Sequence, residues 1–160
     1  MNNFLKRIDT DQHLVSLSQF LTFRIARLHL ALNAQAAAIL SRETDITLGQ
    51  WRMIIMIGTE GVSTSRELIA KSGMDPAIIS RTLRSLERAG FVTLARSEPD
   101  RRVLRLALTP SGSKLHEQIL PKMKARQRML LNALSPDEAI TVFRIIEKLE
   151  RAAGAKESEN

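Results

Sequence analysis

The stretch "SRTLRSLER", residues 80–88, holds Arg81, Arg84 and Arg88 with no lysine among them. A guanidinium is planar, permanently charged, and able to give two parallel hydrogen bonds to a guanine edge or a phosphate. At roughly 100° per residue, Ala77, Arg81, Arg84 and Arg88 gather on one side of a helix, and Ile79, Leu83 and Leu86 gather on the other. Ser80 flanks the arginines, and Glu87 is expected nearer the buried edge. A second basic cluster, Arg101 and Arg102, follows Asp100 in "SEPDRRVLRLALTPSG". Each cluster has a plainer explanation: a helix face or a loop that carries charge only to meet water.

Where the charge lies bears on that choice. The chain of 160 residues has 24 basic and 17 acidic side chains, a formal net charge of +7. Residues 63–105 hold nine of the basic and five of the acidic ones, against six and five in residues 1–62. An anionic partner is therefore sought in the middle third, with nucleic acid as the first candidate.

The elements that must position these arginines are announced by their boundaries. Thr47 with Gln50, Thr64 with Glu67 and Ser135 with Glu138 have capping-box spacing. Asp75-Pro76, Thr109-Pro110 and Ser135-Pro136 each set an N-cap residue before a proline at the first helical position. Gly73 and Gly90 sit where helices should stop. These signals give helices at about 48–58, 65–72, 76–89, 110–133 and 136–152, with Pro121 expected to bend the fourth of them. Leu14, Leu17, Leu21, Ile25, Leu28, Leu32, Ala36 and Ile39 recur at helical spacing and mark a long first helix, about 11–41. Between Gly90 and Thr109 the period changes to two. Leu104, Leu106 and Leu108 alternate with Val103, Arg105 and Ala107, and residues 91–96 are the expected partner strand across a loop at 97–102. The result is a mainly α protein with one small β-hairpin, in which residues 64–90 read as a helix-turn-helix. The polar tail "AKESEN" is expected to fray.

Other chemistry is thinly represented. There is no cysteine and no tyrosine, which removes thiol catalysis, disulfides and cysteine-ligated zinc. His13, His29 and His116 are scattered, and "KARQR" (124–128) reads as a solvated helix face. No phosphate-binding glycine loop, dinucleotide fingerprint or zinc-protease motif is present. No catalytic residue, metal site or cofactor is expected. The absence of an apolar signal core or membrane span makes a cytoplasmic location the default.

Asp100-Arg101-Arg102, followed by Leu108-Thr109-Pro110-Ser111-Gly112, resembles the D-x-R…L-T-x-x-G wing signature of the MarR family of winged-helix repressors. "TLGQWRMI" (47–54), "TSRELIAKSGMD" (64–75) and "SRTLRSLERAGFV" (80–92) are similar to the family's helices in the same order. The likeness runs from about residue 11 to 150.

The resemblance implies one MarR-like domain over 1–160, with a winged helix-turn-helix lobe at 47–109 and dimerisation helices at 11–41 and 110–152. It implies a two-fold homodimer on a palindromic operator in double-stranded DNA, and a small-molecule pocket between the dimer helices and the lobe. By position, Ser80 and Arg81 fall on base-reading residues, while Asp100 and Arg102 fall on the wing-stabilising pair. Arg101 takes the variable position of that motif. Pro76, Ala77, Arg84 and Arg88 complete the candidate DNA face; for Arg84 the helix-face argument stands alone. Trp51 lies in the helix that lines the family's ligand cavity, and is equally well explained as core.

Independently of the family, Leu115, Ile119, Met123, Leu130 and Leu134 form one apolar stripe. Ala139, Val142, Phe143, Ile146 and Leu149 form another. These surfaces exceed what a small lobe can cover, so mutual burial in a dimer is expected. The expected function is a sequence-specific DNA-binding transcriptional regulator, a dimeric repressor released by an effector. Alternatives are a winged-helix module that binds an acidic protein surface, a sequence-indifferent architectural DNA binder and, with the least support, an enzyme.

Overall fold

The computed structural model describes residues 17–96 and 103–154. A 3-10 turn, Leu17–Gln19, precedes α1 (Leu21–Glu43). Then come α2 (Leu48–Gly58), α3 (Ser65–Ser72), α4 (Pro76–Arg88), β1 (Val92–Arg96), β2 (Leu104–Leu108), α5 (Pro110–Leu131) and α6 (Pro136–Ala152). The chain divides into two compact units, residues 1–38 and 39–160, with the boundary inside α1.

In the first unit α1 starts at Leu21 rather than running unbroken from residue 11. The 3-10 turn interrupts the register, and residues 11–16 lie outside the described part. Leu17, Leu21, Ile25 and Leu28 of the expected stripe are all exposed, and so are Phe20, Phe23 and Leu30.

The second unit is organised around one core. Leu40, Ile46, Trp51, Met53, Ile54, Met56 and Ile57 meet Val62, Leu68, Ile79, Leu83 and Leu86 there, with Val92, Leu106, Leu115 and Ile119. The helix boundaries follow their caps. Thr47 accepts from the Gln50 N–H while the Gln50 side chain accepts from the Thr47 N–H at 2.7 Å, a reciprocal box. Ser135 and Glu138 form the same box. At α3 the pattern differs from expectation. Thr64 accepts from the Glu67 N–H, but the Glu67 carboxylate reaches one residue further back and takes the Ser63 N–H at 2.9 Å.

β1 and β2 pair antiparallel, Val92 with Leu108 through Arg96 with Leu104. Leu106 is buried, and Arg105 and Ala107 are exposed. The far edge of β2 is occupied by the α2–α3 connection, which the sequence did not signal. The Leu106 N–H donates to the Ser63 carbonyl at 2.8 Å, and the Leu104 N–H donates to Ser65 Oγ at 3.1 Å.

Thr109 and Gly112 join the hairpin to α5. Thr109 Oγ1 donates to the Gly90 carbonyl at 2.6 Å and accepts from the Gly112 N–H at 3.0 Å. A Cβ on Gly112 would overlap the Phe91 carbonyl oxygen, so only glycine lets α5 start against the hairpin. α5 continues through Pro121 and ends at Leu131, two residues short of expectation. Lys122 Nζ meets Glu43 Oε1 at 2.7 Å and ties α5 to the end of α1.

Candidate nucleic-acid interface

α4 owes its placement to both of its ends and to one buried stripe. At its start Asp75 accepts from the Ala77 and Ile78 N–H groups at 2.9 and 3.1 Å, and Pro76 fills the first turn without needing a partner. The preceding turn is made by Gly73 at φ 61°, a left-handed conformation that favours glycine. Ile79, Leu83 and Leu86 are at most 1% exposed and hold the helix to the core. Because the Asp75 carboxylate occupies the first free amides, the N-terminus is not an open phosphate cradle. Any contact with an anion must come from side chains.

Those side chains lie where the sequence placed them. Pro76, Ala77, Arg81, Arg84 and Arg88 are exposed and Ser80 is half-buried at the flank. No ion-pair partner meets Arg81, Arg84 or Arg88 among the described residues. Glu87 departs from expectation. It is exposed rather than nearer the buried edge, and with the three arginines it lines a shallow concavity of about 490 Å³. The face is therefore net positive, with one carboxylate at its margin.

The antiparallel pairing of β1 with β2 ends at Arg96 and Leu104, on either side of the expected wing loop. Asp100, Arg101 and Arg102 lie outside the described residues, so the structure does not bear on the arginine tip. Arg96 and Arg105, which drew no attention in the sequence, are exposed on the strands that carry it.

The remaining candidates lie apart from the arginine face of α4. Trp51 is 4% exposed, and its ring stacks on His116 with centroids 6.0 Å apart. His116 also shares a 2.7 Å hydrogen bond with Thr59 and lines an open groove of about 400 Å³ with Gly58, Ser63, Leu108 and Glu117. His29 is bonded to Asn33. Among the described residues no group of acidic and histidine side chains has the makings of a metal site, and no helix is long and apolar enough to cross a membrane.

A capped helix-turn-helix with a β-hairpin behind it is the winged-helix arrangement, and residues 46–104 match the family described as the MarR family. Over this segment the chain is similar to the MarR family. The matched MarR segment contains α2 through the first residue of β2, which is the whole helix-turn-helix and most of the wing. The HTH-type transcriptional regulator BilQ of Clostridium symbiosum is 29% identical over 114 residues, covering 71% of this chain and 79% of BilQ. The S. aureus MepR–DNA complex superposes with a TM-score of 0.77 at 20% identity, over 84% of this chain and 98% of that one. BpsR of Bordetella bronchiseptica was solved in a study of how 6-hydroxynicotinic acid regulates its DNA binding. It gives a TM-score of 0.75 at 17% identity, over 84% and 96% of the two chains. At these identities the solved structures speak for the fold. The curated relatives that the chain matches are named as HTH-type transcriptional regulators.

Proposed function

We propose that this protein is a homodimeric, cytoplasmic repressor that binds a palindromic operator and is released by a small-molecule effector. The observation that carries the reading is the two-sided character of α4. Ile79, Leu83 and Leu86 are sealed in the core, while Arg81, Arg84 and Arg88 stand free on the other side of a helix fixed at its start by Asp75. Such a helix lies in a major groove with its first turns at the base edges. Pro76, Ala77, Ser80 and Arg81 are assigned to the base edges, and Arg84 and Arg88 to bases or flanking phosphates. The wing loop carries Arg101 and Arg102 toward the neighbouring minor groove, with Asp100 pairing to Arg102 to shape it.

In this reading residues 47–109 are the DNA-binding lobe, and the first helix with residues 110–152 forms the dimer. Support comes from apolar side chains left open in the single chain. Leu21, Ile25 and Leu28 of α1 and Val142, Phe143 and Ile146 of α6 are between 39% and 59% exposed. The link of BpsR to 6-hydroxynicotinic acid supports an effector here, with Trp51 and its stacked partner His116 as the place to look. An effector acts only through different affinities for the DNA-competent and incompetent arrangements.

The test is binding to a palindrome selected from random duplexes, compared with its scrambled version at two salt concentrations. Binding is expected to favour the palindrome by at least about a thousandfold and to weaken steeply with salt. Equal affinity for both duplexes favours an architectural binder, and no affinity for either favours a protein partner. Both outcomes overturn the proposal.

A further inference from the structure

Gln50 makes two hydrogen bonds from one amide, and only one of them concerns its own helix. Its Oε1 accepts from the Thr47 N–H at 2.7 Å, which caps α2. Its Nε2 donates to Ser85 Oγ at 3.1 Å, which reaches across to α4. The amide is held at both ends, so its direction in space is set by α2.

We infer that Gln50, acting through Ser85, is a positioning residue that sets the roll of α4 about its own axis and thereby the aim of Arg81, Arg84 and Arg88 at base edges. This rests on the DNA-binding reading above and extends it to a residue that does not touch DNA.

The argument is one of directionality. The stripe of Ile79, Leu83 and Leu86 holds α4 down, but burial of apolar surface has no preferred direction and tolerates a helix that rolls slightly in its groove. A hydrogen bond weakens steeply once its geometry is lost. Its position on the helix wheel also matters. Ser85 lies about 125° around α4 from the centre of the buried stripe and about 40° from Arg81. A tether on the flank resists rolling, whereas one under the stripe would not. With side chains reaching about 5–6 Å from a helix axis, a roll of 20° moves their tips by about 2 Å. Specific sites need their groups held to within about 0.5 Å. Direct readout by the arginines is therefore sensitive to this one bond, and phosphate attraction is not.

Gln50→Met keeps the length of the side chain and removes both bonds. Ser85→Ala removes only the bond between helices and leaves the α2 cap intact. Gln50→Glu keeps an acceptor for the Thr47 N–H and accepts a hydrogen bond from the Ser85 hydroxyl. For each full-length variant the affinities for the selected palindrome and for a scrambled duplex are measured, with helix content and sedimentation as controls. Gln50→Met and Ser85→Ala are expected to lower the palindrome-to-scrambled ratio by about three- to tenfold, with little change for the scrambled duplex. Gln50→Glu is expected to restore most of the ratio. The double variant Gln50→Met/Ser85→Ala should lose no more than either single one, since they share one bond. An unchanged ratio in Ser85→Ala overturns the inference. So does an equal loss on both duplexes, or a failure of Gln50→Glu to rescue. If the wild-type chain itself does not prefer any selected duplex, the DNA-binding reading fails instead, and that result is distinct from these.

Discussion

Arg81 carries the sharpest residue-scale expectation. It is exposed, it lies in the first half of α4, and no described side chain neutralises it. Arg81→Ala should cost about 1–3 kcal/mol at the selected operator and relax base preference at one position of each half-site, read by competition with single-base variants. Gly112 carries a different kind of expectation, because its role is one of space. A methyl there overlaps the Phe91 carbonyl, which cannot retreat without opening the hairpin. Gly112→Ala should lower stability by about 1–3 kcal/mol or more in urea unfolding. Gly49, whose added Cβ would meet nothing closer than Thr47 Oγ1 at 3.8 Å, should accept alanine without comparable loss. Some of this was legible in the sequence and some was not. The arginine side of α4 follows from helical spacing alone, and the structure keeps it. Glu87 was misplaced by the same arithmetic, because an angle on a helix wheel does not say how far the neighbouring elements extend over it. The second bond of Gln50 joins residues 35 apart in sequence, which no local pattern reports.

At the scale of elements, boundaries were readable wherever a side chain closes its own helix end. The starts of α2, α3 and α6 coincide with the expected ones because Thr47, Thr64 and Ser135 each accept from the N–H three residues on. The start of α1 was not readable. Apolar spacing continues through Leu17 and Leu21, while the backbone turns between them. The same caps predict an acid response. The Ser135 N–H donated to Glu138, the Ser63 N–H donated to Glu67 and the Lys122 ammonium on Glu43 each hold a carboxyl below the ordinary carboxylate range. A folded-state pKa that is lowered contributes stability above the unfolded value and loses it as the pH falls through the folded one. The melting temperature should therefore fall on acidification from about pH 7 to below the ordinary carboxylate pKa of about 4.3. In Glu138→Gln, which still accepts a hydrogen bond but does not titrate, the fall should be smaller. An equal fall in both proteins would remove Glu138 as a contributor.

For the whole molecule the governing fact is apolar surface without cover in one chain. Leu28, Phe143 and Ile146 are 59%, 52% and 44% exposed. Large open apolar patches of this sort mark interfaces, and a two-fold dimer would present two α4 helices to successive major-groove turns. Phe143→Glu should shift sedimentation toward the monomer and abolish operator binding, although α4 is untouched. Retained dimerisation would show that α6 lies outside the interface. What covers each stripe was beyond sequence reasoning, since periodicity reveals only that a face is apolar.

The central claim is that the guanidinium groups of α4 read DNA, and one titration tests it most directly. Binding to the selected palindrome and to its scrambled version is followed across a series of salt concentrations, for the wild type and for Arg81→Ala/Arg84→Ala/Arg88→Ala. The triple variant should stay folded and dimeric and lose its preference for the palindrome. Its dependence of log K on log salt should be shallower by about 1 for every phosphate contact removed. A folded, dimeric triple variant that binds and discriminates like the wild type would contradict the account.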